Sequence, residues 1–295
     1  MTRLALPGSA VAGGTSGPGR RRRSDPTGVA IAILMWGYVF IVLAPLALIL
    51  LNSMRPTRSI FREPIALPES INLDSYVRAW GEASFSEYFV NSLVIVTASV
   101  VLATAVSVLA AYVLGRYSFR GSTVLAIFFL SGLLLPFRLA IMPLFLLLQD
   151  LGLVDTRLGL ILVYAATGVP FSVFILSAYF RQLPNDLSEA ARMDGAGEFT
   201  IFGRVMLPLV RPALATVAVF QFVPLWNDFF FPLVLLRSSD KLTLPVGMTR
   251  FFGEFQTDWS TLFAGIIITT LPLIIVFLIA TKQIIRGLTA GIGKL

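Results

Sequence analysis

Six long apolar runs constrain this chain more than any other feature. They lie at Gly28–Asn52, Phe89–Leu114, Thr123–Leu148, Leu158–Phe180, Pro212–Leu236 and Leu262–Ala280. Each is long enough, at about 1.5 Å per residue, to cross roughly 30 Å of hydrocarbon as a helix. Composition agrees: 56% of the 295 residues are hydrophobic and 13% charged, against about 25% charged in ordinary soluble domains. There is too little polar surface for a soluble shell. The expectation is an all-α membrane protein with six transmembrane helices and the lipid bilayer as its main surroundings.

The chain has no cysteine and no histidine. Disulfides, thiol nucleophiles, Cys/His metal sites and imidazole acid–base chemistry are therefore excluded. Its lysines are Lys241, Lys282 and Lys294, and none lies in a GxxxxGK[ST] phosphate loop. If ATP and Mg are involved, another chain must hold them. No enzymatic chemistry, cofactor or metal is expected of this one.

Residues 1–27 are rich in Gly, Pro and Ser and read as a disordered basic tail, with Arg20–Arg23 as a topological anchor rather than a nucleic-acid site. The run after it lacks cleavage chemistry and reads as a retained first span. The rest, 28–295, reads as one transmembrane domain with a core at 87–283. Net charge is +7. With the N-terminus inside, the inner segments hold 14 Lys/Arg and the outer segments 8. That bias predicts both termini in the cytoplasm.

On the inner side lies an unusually long connector, residues 181–211. Pro184-Asn185-Asp186 reads as a helix start, with Asp186 and Glu189 as a capping box. Leu187, Ala190, Ala191, Asp194 and Gly195 fall near one helical face, where Ala190, Ala191 and Gly195 are small enough to admit another backbone or side chain. Gly195 and Gly197 end the helix, and a second helix is expected at Glu198–Leu207 before Pro208. A plain connector between spans needs far fewer residues, so a docking element is the better reading. On the outer side, Leu73, Tyr76, Val77 and Trp80 have helical spacing.

The stretch EAARMDGA followed by IFGRVMLPLVRPALA resembles the EAA loop of ABC importer permeases. The match falls on Glu189, Ala190, Ala191, Asp194, Gly195, Ala196, Leu207 and Pro208. The segments NSLVIVTASVVLATAVSVLAAYVLGRYSFRG, LWNDFFFPLVLL, TLPVGMTRFF and RGLTAGIGKL are similar to the carbohydrate-uptake, maltose-type branch, over roughly residues 55–295. The resemblance implies a type I ABC importer permease fold, with the EAA loop acting as a coupling helix in a cleft of the ATPase. It implies a homologous permease, an ATPase dimer and an extracytoplasmic solute-binding protein as partners, and a sugar as substrate. Six spans and a short tail are similar to the second member of a heterodimeric pair, whose tail reaches toward the ATPase. Arg286, Gly287 and Thr289 inherit that role.

The fifth run carries Gln221, Pro224, Trp226, Asn227, Asp228 and Pro232. An ionisable residue inside a span is a functional-site hypothesis. Trp226, Asn227 and Asp228 together suit a sugar, with helix–helix bonding as the alternative for Asn227 and Asp228. The third run carries Arg138, which departs from the family pattern and points to an anionic group on the solute, such as a phosphorylated polyol or acidic sugar. Arg138 lies 15 residues past Thr123, and Asp228 lies 16 past Pro212, so both sit at about 23 Å depth and can pair. Snorkelling of Arg138 is the alternative. An ion-coupled secondary transporter is a rival function, but Asp228 is the one deep carboxylate and no inverted repeat is visible.

Overall fold

The computed structural model describes the backbone of residues 26–81, 84–249 and 258–292, with the side chains of these residues except Pro26, Ala280 and 282–292. Every long regular element among them is a helix. The chain divides into two units, 1–47 and 48–295. The described part of the first unit belongs to one apolar helix, α1 (Pro26–Ser53), and it exposes nearly all its side chains, Trp36 and Phe40 among them.

The second unit is built around two helices, α4 (Phe85–Arg116) and α7 (Arg157–Gln182). Before α4 come α2 (Thr57–Arg62) and α3 (Asp74–Gly81), and between α4 and α7 lie α5 (Ser122–Leu134) and α6 (Ile141–Asp150). Two hydrophobic clusters fix how the helices run. One joins Phe85, Tyr88 and Ile95 of α4 to Leu160 and Tyr164 of α7. The other joins Val108, Ala111 and Tyr112 to Leu176 and Phe180. Starts meet starts and ends meet ends, so α4 and α7 run parallel. Further along the chain, α8 (Asp186–Met193) and α9 (Glu198–Leu209) precede α10 (Arg211–Trp226). Helix α10 runs the opposite way, with Ala213 and Val217 in the second cluster and Phe222 and Trp226 in the first. The chain continues through α11 (Phe230–Leu235), α12 (Leu244–Met248) and α13 (Trp259–Ile292).

Among the described residues, four helices are long and apolar enough to cross a membrane: α1, α4, α7 and the start of α13. The bent pair α9–α10, angled at 69°, raises the count to five if taken as one span. The third and fifth runs, read as the spans Thr123–Leu148 and Pro212–Leu236, are both interrupted. The third stops before Pro136, because a residue preceding proline is driven out of the helical region; Leu135 sits at φ −75°, ψ 123°. Turns then carry the chain through Phe137 and Arg138 to α6. The fifth stops after Trp226. The side-chain amide of Asn227 donates to the Val223 carbonyl at 2.8 Å, and Asp228 accepts from the Phe231 N–H at 3.2 Å to start α11.

Helix α3 forms where spacing predicted a helix. Its small residues Ser75 and Ala79 are buried, and Leu73, Val77 and Trp80 are exposed. Asp258 draws α3 and α2 together: it pairs with Arg78 at 3.3 Å and accepts from Thr57 at 2.7 Å. Nearby, Asp155 takes the backbone N–H groups of Arg237 and Ser238 and the ammonium of Lys241 at 3.1 Å. Hydrogen bonds from the Ser238 hydroxyl, then from these N–H groups, hold the Asp155 carboxyl well below the usual carboxylate range.

Gly115 of α4 lies directly against α7. A Cβ there would stand 2.7 Å from the Phe180 Cβ and 2.9 Å from the Ser177 carbonyl oxygen. Gly115→Ala is expected to wedge the pair apart at a cost of about 1–3 kcal/mol. Thermal unfolding of the purified protein in detergent checks this: the midpoint should fall by at least about 3 °C, and an unchanged midpoint would contradict the packing.

Candidate functional site

Two polar places stand out in an otherwise apolar body. The first is the connector of α8 and α9. Helix α8 starts at Asn185, but the capping box read from Asp186 and Glu189 does not form: no side chain caps the first turn. The Ser188 hydroxyl instead donates to the Asn185 carbonyl at 2.8 Å. Ser188 also accepts from Arg116, whose guanidinium donates to the carbonyls of Phe180, Leu183 and Pro184 at 3.4, 2.6 and 3.3 Å. One arginine at the end of α4 thus bonds the end of α7 and the start of α8.

The end of α8 is set by Gly195. It has φ +80°, the left-handed conformation that glycine adopts without steric cost. The Ala196 N–H bonds the Ala191 carbonyl at 2.9 Å, and the Gly195 N–H bonds the Arg192 carbonyl at 3.0 Å. This is a Schellman motif, in which the two bonds satisfy carbonyls that a helix end leaves open. Its usual apolar contact is present, because Ala191 and Ala196 both pack on the cluster of Ile201 and Met206. The small residues therefore divide between two faces. Ala191 turns inward, whereas Leu187, Ala190 and Asp194 stay exposed. The expected single face of small residues is corrected to this arrangement.

Helix α9 continues further than expected. It contains a π-helical stretch, Ile201–Met206, and runs on through Leu207 and Pro208 to Leu209. Glu198 fixes its start by pairing with Arg192 at 2.8 Å and accepting from the Tyr117 hydroxyl. The Arg192 hydrogen bond, then that of Tyr117, lowers the Glu198 carboxyl below its ordinary range; burial, then the bond to Glu198, raises the Tyr117 phenol above its own. Sequence reasoning gave no weight to Met193 and Phe199, which stand 85% and 94% exposed beside Glu189 and Asp194. The signal was an apolar pair inside a polar stretch.

The second place is where the two interrupted runs meet. Arg138 and Asp228 approach to 3.7 Å, as their equal depth predicted. The other Asp228 oxygen accepts from the Tyr164 hydroxyl at 2.8 Å, and the Arg138 guanidinium lies 5.8 Å from the Phe230 ring centre. Tyr164 was missed, because a tyrosine inside an apolar run carries no charge or spacing that marks it. Asn227 is exposed beside them. Trp226 was expected to offer an aromatic face to a solute, and the structure places it in the core instead. It is 1% exposed, stacked on Phe222 with ring centres 5.5 Å apart, and its indole N–H bonds the Thr269 carbonyl at 3.1 Å. Arg286, Gly287 and Thr289 fall in the backbone of α13, and their side chains lie outside the described residues.

Residues 103–289 match the family of binding-protein-dependent transport system inner membrane components. This chain belongs to that family. The permease is 38% identical over 261 residues to the diacetylchitobiose uptake system permease protein NgcG of Streptomyces coelicolor, covering 88% of this chain and 86% of that one. It is 33% identical to the arabinooligosaccharides transport system permease protein AraQ of Bacillus subtilis, covering 89% and 94%. Its fold matches a chain of a bacterial ABC transporter that imports the acidic polysaccharide alginate, with a TM-score of 0.79, 26% identity, and coverage of 91% and 100%. The type I ABC permease fold and a multi-pass place in the inner membrane follow.

Nothing lies within 4 Å of a Cβ added at Gly195, so replacing it costs backbone strain alone, about 1–2 kcal/mol for alanine. Gly195→Ala should speed hydrogen exchange at the Gly195 and Ala196 amides by about 5–30-fold, and Gly195→Asn by less. Equal protection in all three proteins would remove the Schellman end.

Proposed function

We propose that this permease is one membrane subunit of an ATP-driven sugar importer. The sugar-transport relatives, each covered almost end to end, support the substrate class. The observation that carries the coupling role is the outward presentation of α8: its end is locked by Gly195, its start by Arg116, and Glu189, Ala190, Met193 and Asp194 are left uncovered. A rigid, exposed helix between two spans is suited to receive motion from a partner.

In this reading the chain has six spans, two of them broken, with both termini in the cytoplasm, where α8 and α9 also lie. A homologous permease completes the pathway, and a solute-binding protein delivers sugar from outside. An ATPase dimer carries ATP and Mg; this chain makes and breaks no bonds. Closing of the ATPases on ATP pulls α8, and the parallel pair α4–α7 moves with it through Arg116. Helices interrupted at Pro136 and at Asn227 are natural hinges for two packings of near-equal energy.

Glu189 is exposed and lies in the first turn of α8. Glu189→Lys puts a cation at a helix N-terminus and reverses the charge offered to the partner. Affinity capture on a tag on this chain should recover the ATPase with the native protein and at least about tenfold less with the variant, a loss of 1.4 kcal/mol. Undiminished ATPase and undiminished uptake would overturn the coupling role.

A further inference from the structure

The pair at the two helix breaks has an asymmetry that bears on what the pathway accepts. The Arg138 side chain is 73% exposed and that of Asp228 only 8%. The carboxylate is held from behind by the Tyr164 hydroxyl and the Phe231 N–H, so a passing solute cannot reach it. The guanidinium is reachable. It has five N–H donors in a planar fork, and at 3.7 Å it pairs with Asp228 by charge, beyond hydrogen-bond distance. Its neighbours Leu134 and Leu139 are exposed apolar residues, at 84% and 80%. A cation inside a broken span faces the bundle interior or a water-filled cavity rather than hydrocarbon. The Phe230 ring and Asp228 hold it at the break rather than letting it stretch to the surface.

We propose that Arg138 faces the water-filled pathway as a hydrogen-bond donor to passing solute, with its charge cancelled from behind by Asp228. The inference rests on the importer reading and deepens it by naming the solute class. The two charges sum to zero, so the station offers N–H donors without a net field. It suits the hydroxyls of an uncharged oligosaccharide, and it reverses the expectation from sequence that Arg138 selects an anion. Asn227, exposed beside Asp228, supplies the amide of the same station.

The chain contains no cysteine, so an introduced thiol is unique in it. Asn227→Cys would be placed in the full complex, reconstituted in liposomes. Its modification would be timed by intact mass of this chain, using two methanethiosulfonates of similar size, one bearing trimethylammonium and one sulfonate. With the native pair, the ratio of the two rates, each normalised to a free thiol, should be near one. Adding Asp228→Asn, which keeps the side chain's shape, uncovers the cation and should favour the sulfonate by about fivefold. Adding Arg138→Gln should favour the trimethylammonium by a similar factor.

If Arg138→Gln leaves the buried carboxylate too costly to fold, the Asp228→Asn comparison decides alone. If Asn227→Cys does not assemble, Arg138→Cys with and without Asp228→Asn gives the same reading, the carboxylate then favouring the cation. A position unlabelled by both reagents, or a ratio indifferent to Asp228→Asn, would overturn the proposal. Neither readout involves ATPase binding, so such a failure is distinct from retention of the ATPase by Glu189→Lys.

Discussion

A single guanidinium holds together the part of the molecule on which the rest depends. Helices α4 and α7 run parallel, so their C-terminal ends, with open carbonyls and partial negative charge, arrive side by side. Arg116 sits at that meeting point. It takes up the Phe180, Leu183 and Pro184 carbonyls and reaches the Ser188 hydroxyl of α8. Hydrogen bonds from a charged donor contribute about 1.5–3 kcal/mol each, and these span three helices. Gly115, one residue earlier, lets the two long helices close to contact at the same level. The result is a continuous solid path from the exposed face of α8 into α4 and α7, the two helices around which the second unit is built.

The polar breaks occupy the opposite part of the same frame. Proline and its neighbours stop the third run, and Asn227 and Asp228 finish one helix and begin the next. Each freed backbone group then needs a partner, and these side chains supply several. A carboxylate recruited for that purpose also faces an arginine from the other break. Capping α11 and pairing with Arg138 are therefore not alternatives for Asp228: the bond to the Phe231 N–H fixes the carboxylate where it can neutralise Arg138.

Much of this was legible in the sequence, and the reasons differ by element. Long apolar runs mark helices because a helix satisfies its own backbone in lipid, so α1, α4 and α7 matched closely, while α13 runs on past the expected end at Ala280 to Ile292. Equal depth along two runs entering from the same face was enough to bring Arg138 to Asp228. The motif glycine, Gly195, announced a helix end, and its left-handed φ explains why glycine stands there. What failed depended on three-dimensional neighbours. The capping box lost to a Ser188–Arg116 arrangement that no local spacing encodes. Trp226 sits on the helix face that meets Phe89 and Phe222, and periodicity weak on both faces could not say which way it points. Tyr164 is silent in sequence, since its hydroxyl matters only once α10 lies against α7.

The central claim is that force enters through α8 and is carried by Arg116 into α4 and α7. Its most direct measurement is the ratio of solute taken up to ATP hydrolysed by the complex in liposomes, for the native chain and for Arg116→Ala. The account predicts that hydrolysis persists while uptake per ATP falls at least about tenfold. An unchanged ratio in a correctly assembled variant would contradict it.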